Sequence, residues 1–232
     1  MKKLVLFDID GTILWTDGAG RRAIRQALIA EMGTAGPIDQ GYRLDGKTDP
    51  QIVRELMTAA GHPDAESEER IQKVCRSYVS VLERELASSQ AATRLFPGIA
   101  PLLDELDRRG DALVGLLTGN VVDGAALKLR AAGVDPTRFR VGAYGSDAAV
   151  RSDLPPIAVR RAKPLMGRQP TGDEVVIIGD TPADVTCGQC VNARAIGVAT
   201  GHYSAGDLRA AGAFHAFEDL SDVDAVLDTI YR

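Results

Sequence analysis

Lys2 to Thr12, KKLVLFDIDGT, constrains the rest of the chain more than any other stretch. Two lysines lead into four apolar residues, Leu4 to Phe7, and then into Asp8-Ile9-Asp10-Gly11-Thr12. An apolar run this short, bounded by charge and by glycine, predicts a buried β-strand, since a helix needs more residues. Aspartates at i and i+2 off the end of a strand project the same way while the backbone stays extended. Carboxylates placed so close repel unless a cation or a proton sits between them. Oxygen-only ligands favour a hard divalent ion such as Mg2+. Taken alone, the segment reads equally as a strand end with solvated aspartates.

The chain has 232 residues, enough for one large domain or two unequal ones. Its 45% hydrophobic and 25% charged content is ordinary for a soluble globular protein. A net charge of −5 lacks the basic footprint of a nucleic-acid binder. No window is apolar enough to span a membrane, and the N-terminal apolar run is too short for a signal peptide. Three cysteines make no disulfide framework. The expectation is a cytoplasmic protein, monomeric or homodimeric, without nucleic-acid or membrane partners.

Beyond Thr12 the periodicity becomes helical. Ala19, Ala23, Ile24, Ala27, Leu28 and Met32 predict a helix over 17–32, stopped by Gly33. Thr48 or Asp49 caps a second helix with Pro50 in its first turn, ending near Gly61. A third runs from Ser67 to Ala87, with Ile71, Val74, Cys75, Tyr78, Val79, Leu82 and Leu86 as its stripe. No strand is expected between Asp17 and Ala92. After that, helices alternate with apolar runs at Ala112–Leu117, Phe139–Tyr144, Glu174–Ile178, Ala195–Val198 and near Phe214, and a final helix starts at Asp222. That alternation calls for an α/β fold with a doubly wound parallel sheet. Its core comprises residues 1–14 and 93–232, interrupted by an all-helical insertion over 15–92.

In such a sheet, ligands gather at the carboxyl ends of the strands, where strand order reverses. Three predicted strands end in polar residues: Asp8 and Asp10, Thr118-Gly119-Asn120, and Asp180, with Asp184 one helical turn later. Thr118 offers a hydroxyl, and Gly119-Asn120 can offer backbone N–H groups at a helix start. Three acids, a hydroxyl and glycine-rich turns at one sheet edge suit a phosphate and its metal.

On these residues the sequence resembles the haloacid dehalogenase superfamily, specifically its phosphatases of the phosphoglycolate phosphatase and β-phosphoglucomutase type. Asp8-Ile9-Asp10-Gly11-Thr12 fits the family's DxDGT motif, Thr118 its second-motif hydroxyl, and Gly179-Asp180 with Asp184 its acidic fourth motif. The helical insertion falls where that family carries a cap. The resemblance implies a core with a Rossmann-like sheet and a Mg2+-dependent phosphatase acting on a small phosphorylated metabolite. It makes Asp8 the nucleophile and Asp10 the general acid and base. Mg2+ is implied on Asp8, the backbone carbonyl of Asp10, and Asp180, with Asp184 orienting from behind. A phosphomutase is the alternative within the same chemistry. Dehalogenases lack the second aspartate, so Asp10 points to phosphoryl transfer.

One motif departs from the family pattern. Where it presents a lysine before the helix leading to the fourth motif, this chain has Arg151, and Lys163 lies deeper in the helix. Arg151 is the expected phosphate-side cation, because arginine neutralises and binds oxygens through two donors. Arg43 and Lys47, beside Gly46 in the cap, are candidates for reading the leaving group, and a solvated loop is an equal reading. Cys187 and Cys190 share a helix face and read as two small buried thiols. Trp15, at the linker to the cap, reads as packing, with the lining of the cleft as its alternative role.

Overall fold

The computed structural model describes residues 2–88 and 92–232. The first strand, β1 (Lys3–Phe7), is buried throughout, as its unbroken apolar run requires. A two-residue strand β2 (Leu14–Trp15) follows, then the helices α1 (Ala19–Met32), α2 (Asp49–Ala59) and α3 (Glu68–Ala87). The chain returns through β3 (Arg94–Leu95) to α4 (Ile99–Arg109), β4 (Ala112–Thr118), α5 (Val122–Ala131) and β5 (Val141–Tyr144). It closes with α6 (Leu154–Met166), β6 (Val175–Gly179), α7 (Pro182–Cys187), β7 (Arg194–Val198), α8 (Ala205–Ala210), β8 (His215–Phe217) and α9 (Val223–Tyr231).

Six strands form one parallel sheet in the order β5-β4-β1-β6-β7-β8. β1 lies at the centre, with Phe7 level with Leu116 of β4 on one side and Ile178 of β6 on the other. The connections run outward from β1 in both directions, so the switch point lies at its carboxyl end. Asp8 follows β1, Thr118 ends β4 and Asp180 follows β6, which makes the three polar strand ends immediate neighbours.

Strand alternation divides the core into two layers. Val5, Phe7, Leu116, Val176 and Ile178 pack with Leu102, Leu103 and Leu106 of α4 and with Leu227 and Ile230 of α9. Leu4, Leu6, Leu113, Leu117 and Ile177 face the other way, onto Leu154, Ala158 and Val159 of α6. The three cap helices bury a cluster of their own, including Ile24, Leu28, Ile52, Leu56, Val74, Tyr78 and Leu82, which Val121 of the core joins. An independent apolar cluster is what lets a helical insertion fold beside the sheet.

Helix ends follow the capping residues. The Thr48 and Ser67 side chains accept from Gln51 and Arg70 backbone N–H groups, and Gly33 ends α1 in the left-handed region with φ 77°. Two local expectations shift. The strand expected from Phe139 starts at Val141, because Pro136–Arg138 forms a 3-10 turn first. The strand expected near Phe214 forms at His215–Phe217. A feature not anticipated is the antiparallel pairing of β2 with β3, Leu14 opposite Leu95 and Trp15 opposite Arg94. It ties together the two chain crossings between cap and core. No helix among the described residues is long and apolar enough to cross a membrane.

Candidate active site

Asp8 sits where β1 leaves the sheet, 6% exposed, its N–H donating to the Ile178 carbonyl at 2.9 Å. Its Oδ1 accepts from Arg151 Nη2 at 3.0 Å. The same guanidinium nitrogen donates to Asp184 Oδ1 and to the Leu117 carbonyl, and Arg151 Nε is buried without a partner among the described residues. Arg151 therefore stands at the nucleophile candidate, while Lys163 is exposed on α6.

Asp184 is held by its own helix start. Thr181 and Asp184 form a capping box on α7: Asp184 N–H donates to Thr181 Oγ1, and Asp184 Oδ2 accepts from Thr181 N and Oγ1 at 3.0 and 2.6 Å. Both Asp184 oxygens are thus taken by protein donors. Asp180 differs, since Thr12 Oγ1 donates to its Oδ1 at 3.1 Å and Oδ2 has no donor among the described residues. Glycines make room around it, because a Cβ on Gly11 or Gly201 would collide with this carboxylate.

Asp8, Asp180 and Asp184 each bring a ligand atom within 4.8 Å of one another, all three buried. Arg151 alone does not balance three carboxylates. Burial pushes the Asp8 carboxyl up to about 7, Arg151 pulling the other way and the Asp184 and Asp10 charges adding to the rise. Burial, with the Asp184 and Asp8 charges, likewise holds Asp180 well above the usual carboxylate range. Buried, under-neutralised oxygens of this kind fit a hard divalent cation.

The same shifts imply a stability profile for metal-free protein. Between the ordinary carboxylate range and about 7 the folded state holds protons that the unfolded chain releases, so stability falls as pH rises. Urea unfolding in chelator should show a loss of a few kcal/mol from about pH 5 to about pH 8, near 1.4 kcal/mol per pH unit at most for each group. A flat or rising profile would contradict these environments.

Asp10 occupies different ground. Its carboxylate stands outside the acid cluster, and its Oδ2 accepts from Asn120 Nδ2 at 2.8 Å and Lys128 Nζ at 2.6 Å. Asn120 Nδ2 also donates to Thr118 Oγ1 at 2.8 Å, and Asn120 N–H reaches the same hydroxyl at 3.3 Å. The Asn120 N–H, expected to be offered to a phosphate, thus turns to the Thr118 hydroxyl, while the side chain is committed to Asp10 and Thr118. Lys128 was not anticipated. Its signal lies in α5, where it shares a buried stripe with Gly124, Ala125 and Leu129.

A cavity of about 220 Å³ joins these groups to the cap, lined by Asp8, Asp10, Thr118, Arg151 and Asp180 below and Ile24, Ile52 and Tyr78 above. Trp15 also lines it. The cap loop is fastened to the core by Thr48 Oγ1 donating to the Ala149 carbonyl at 2.6 Å and Asp49 N–H donating to the Gly119 carbonyl at 2.8 Å. Val121 N–H donates to Asp49 Oδ2 at 2.8 Å, and burial pushes the Asp49 carboxyl up to about 6. A Cβ on Gly119 would collide with the Lys47 backbone, so the loop needs glycine there.

The two cap cations are each engaged by a cap carboxylate. Lys47 lines the cavity, but its ammonium donates to Glu55 at 2.6 Å and to the Tyr42 hydroxyl at 3.1 Å. Arg43 pairs with Asp45 at 3.2 Å and lies 5.5 Å over the Tyr203 ring, in a shallower pocket alongside. Of the two thiols, Cys187 is buried and Cys190 exposed, because the helix ends between them.

Fold and site together define a capped, doubly wound α/β protein with an acidic centre at its switch point. The family model for haloacid dehalogenase-like hydrolases matches residues 2–192, and the chain belongs to that family. No curated protein matches the sequence. Among solved structures, a hydrolase from Pseudomonas syringae is similar over 98% of this chain and 99% of its own, at 24% identity and a TM-score of 0.74. CbbY from Rhodobacter sphaeroides, in complex with phosphate, matches over 98% and 100% at 20% identity and 0.72. A predicted phosphoglycolate phosphatase from Haemophilus somnus matches over 97% of both chains at 16% identity and 0.70.

Proposed function

We propose that this protein is a Mg2+-dependent phosphatase that hydrolyses a small phosphate monoester through an aspartyl-phosphate on Asp8. The observation that carries the reading is the division between two aspartates. Asp8 is buried against Arg151 and beside Asp180, while Asp10 faces the cavity with one oxygen that has no donor among the described residues. The carboxylate of Asp8 attacks phosphorus, the bond to the leaving oxygen breaks, and that oxygen takes its electron pair and a proton from Asp10. Asp10 then removes a proton from the water that attacks the aspartyl-phosphate, and Asp8 is regenerated.

Arg151 holds Asp8 in line, and as a cation lining the cavity it would offset charge on a phosphoryl oxygen. Thr118 and Gly119 offer a hydroxyl and a peptide N–H on the other side, the Asn120 N–H being turned to the Thr118 hydroxyl. Asp8, the Asp10 carbonyl and Asp180 would hold the cation, with Asp184 fixing Arg151 behind them. When bound, the ion offsets the buried negative charge and the charge developing on phosphoryl oxygens. The cavity size favours a small ester, of the phosphoglycolate or sugar-phosphate kind that two neighbours' descriptions name.

Phosphate release from a panel of phosphorylated metabolites should be seen with Mg2+, vanish on thorough chelation and return when Mg2+ is restored. Turnover that survives chelation would remove the metal from the reaction, and inertness toward every ester would remove the phosphatase. A putative β-phosphoglucomutase from Thermotoga maritima shares the fold at a TM-score of 0.62, so isomerised sugar phosphate in place of released phosphate would make the chain a mutase.

A further inference from the structure

Lys128 belongs to a core helix but lies under the cap. A Cβ on Gly20 of α1 would stand 3.4 Å from its Nζ and 3.8 Å from the hydroxyl of Tyr78 on α3. Its side chain is 5% exposed. Burying an ammonium costs several kcal/mol unless its partners are well placed, and a methionine would fill this stripe without that cost. The partners here are specific. Nζ donates to Asp10 Oδ2 at 2.6 Å and to Asn120 Oδ1 at 2.7 Å, and Asn120 Nδ2 donates to the same Asp10 oxygen at 2.8 Å.

The three side chains close a ring of hydrogen bonds with Asp10 Oδ2 at one corner. A carboxylate gripped through one oxygen by two donors cannot swing about its last torsion without losing both. Its other oxygen, Oδ1, has no donor among the described residues, and Asp10 lines the cavity. The ring therefore fixes the direction in which Oδ1 is presented.

We infer that Lys128 is a positioning residue for the phosphoryl-transfer step. With Asn120 it clamps Asp10 through Oδ2, so that Oδ1 addresses the oxygen of the departing group. This rests on the proposed role of Asp10 as proton donor. The clamp acts through Asp10 and leaves the phosphate side to Arg151 and Thr118.

Leaving-group dependence separates such a role from a merely structural one. An alkyl alcohol needs a proton to depart, whereas p-nitrophenolate departs without one. Values of kcat/KM should be compared for p-nitrophenyl phosphate and for an alkyl phosphate that the wild-type protein hydrolyses. Lys128→Met should lose about 100-fold on the alkyl ester, the lower end of general-acid effects, and less than about 10-fold on the aryl ester. Lys128→Gln, shorter and uncharged, should show the same asymmetry and serves if the methionine variant does not fold. Equal losses on both esters, or none on either, would overturn the inference. Asp10→Asn is the reference: if it discriminates and the Lys128 variants do not, the clamp alone fails. If Asp10→Asn treats both esters alike, its proton-donor role fails and the clamp with it.

Discussion

Asp8→Asn should lose about 10⁴-fold or more in turnover of any phosphate monoester that the wild-type protein hydrolyses, because an amide cannot attack phosphorus. The substitution nearly preserves shape, and Arg151 keeps its contact with Asp184. It also removes a carboxylate whose ionisation burial opposes. The variant should therefore remain folded, with a melting temperature at or above that of the metal-free parent. Phosphate release and thermal unfolding, measured side by side, check both halves. Hydrolysis at a wild-type rate would move the nucleophile elsewhere.

Arg151→Ala should be the most destabilising of the single changes at this site. Arg151 is 7% exposed and bridges Asp8 and Asp184. Removing one partner of a buried ion pair leaves uncompensated charge and costs about 3–5 kcal/mol, here reduced to the extent that Asp8 takes up a proton. The loss should consequently be larger at pH 8 than at pH 5, and Mg2+ should recover part of it. Activity should fall with it, since no other side chain among the described residues donates to Asp8. Lys163→Ala, on an exposed helix face, should stay within about 0.5 kcal/mol of the parent. Denaturant unfolding of both variants decides the matter, and a greater loss from Lys163→Ala would reassign the cation.

The parallel sheet was legible because each strand is a short apolar run punctuated by glycine, and each functional acid ends such a run. Asp8, Thr118 and Asp180 come together for that reason alone, and Arg151 was placed by its position before a helix. The contacts that cross from core to cap were not legible. Lys128 looks like any mid-helix lysine until its neighbours Ala125 and Leu129 are seen to face inward. Asn120 has a side chain and a peptide group, and only the fold decides which is used. Lys47 was a free cation in the sequence because Glu55, its partner, lies on the next helix. The β2–β3 pairing was missed because two-residue strands carry no periodicity.

The fastening of Thr48 and Asp49 onto Ala149, Gly119 and Val121 means that the door and the lock share peptide units. The loop proposed to receive the phosphoryl group is the one to which the cap is fastened. Three hydrogen bonds worth about 1 kcal/mol each, with Val121 packed into the cap cluster, resist separation of cap from core at this point.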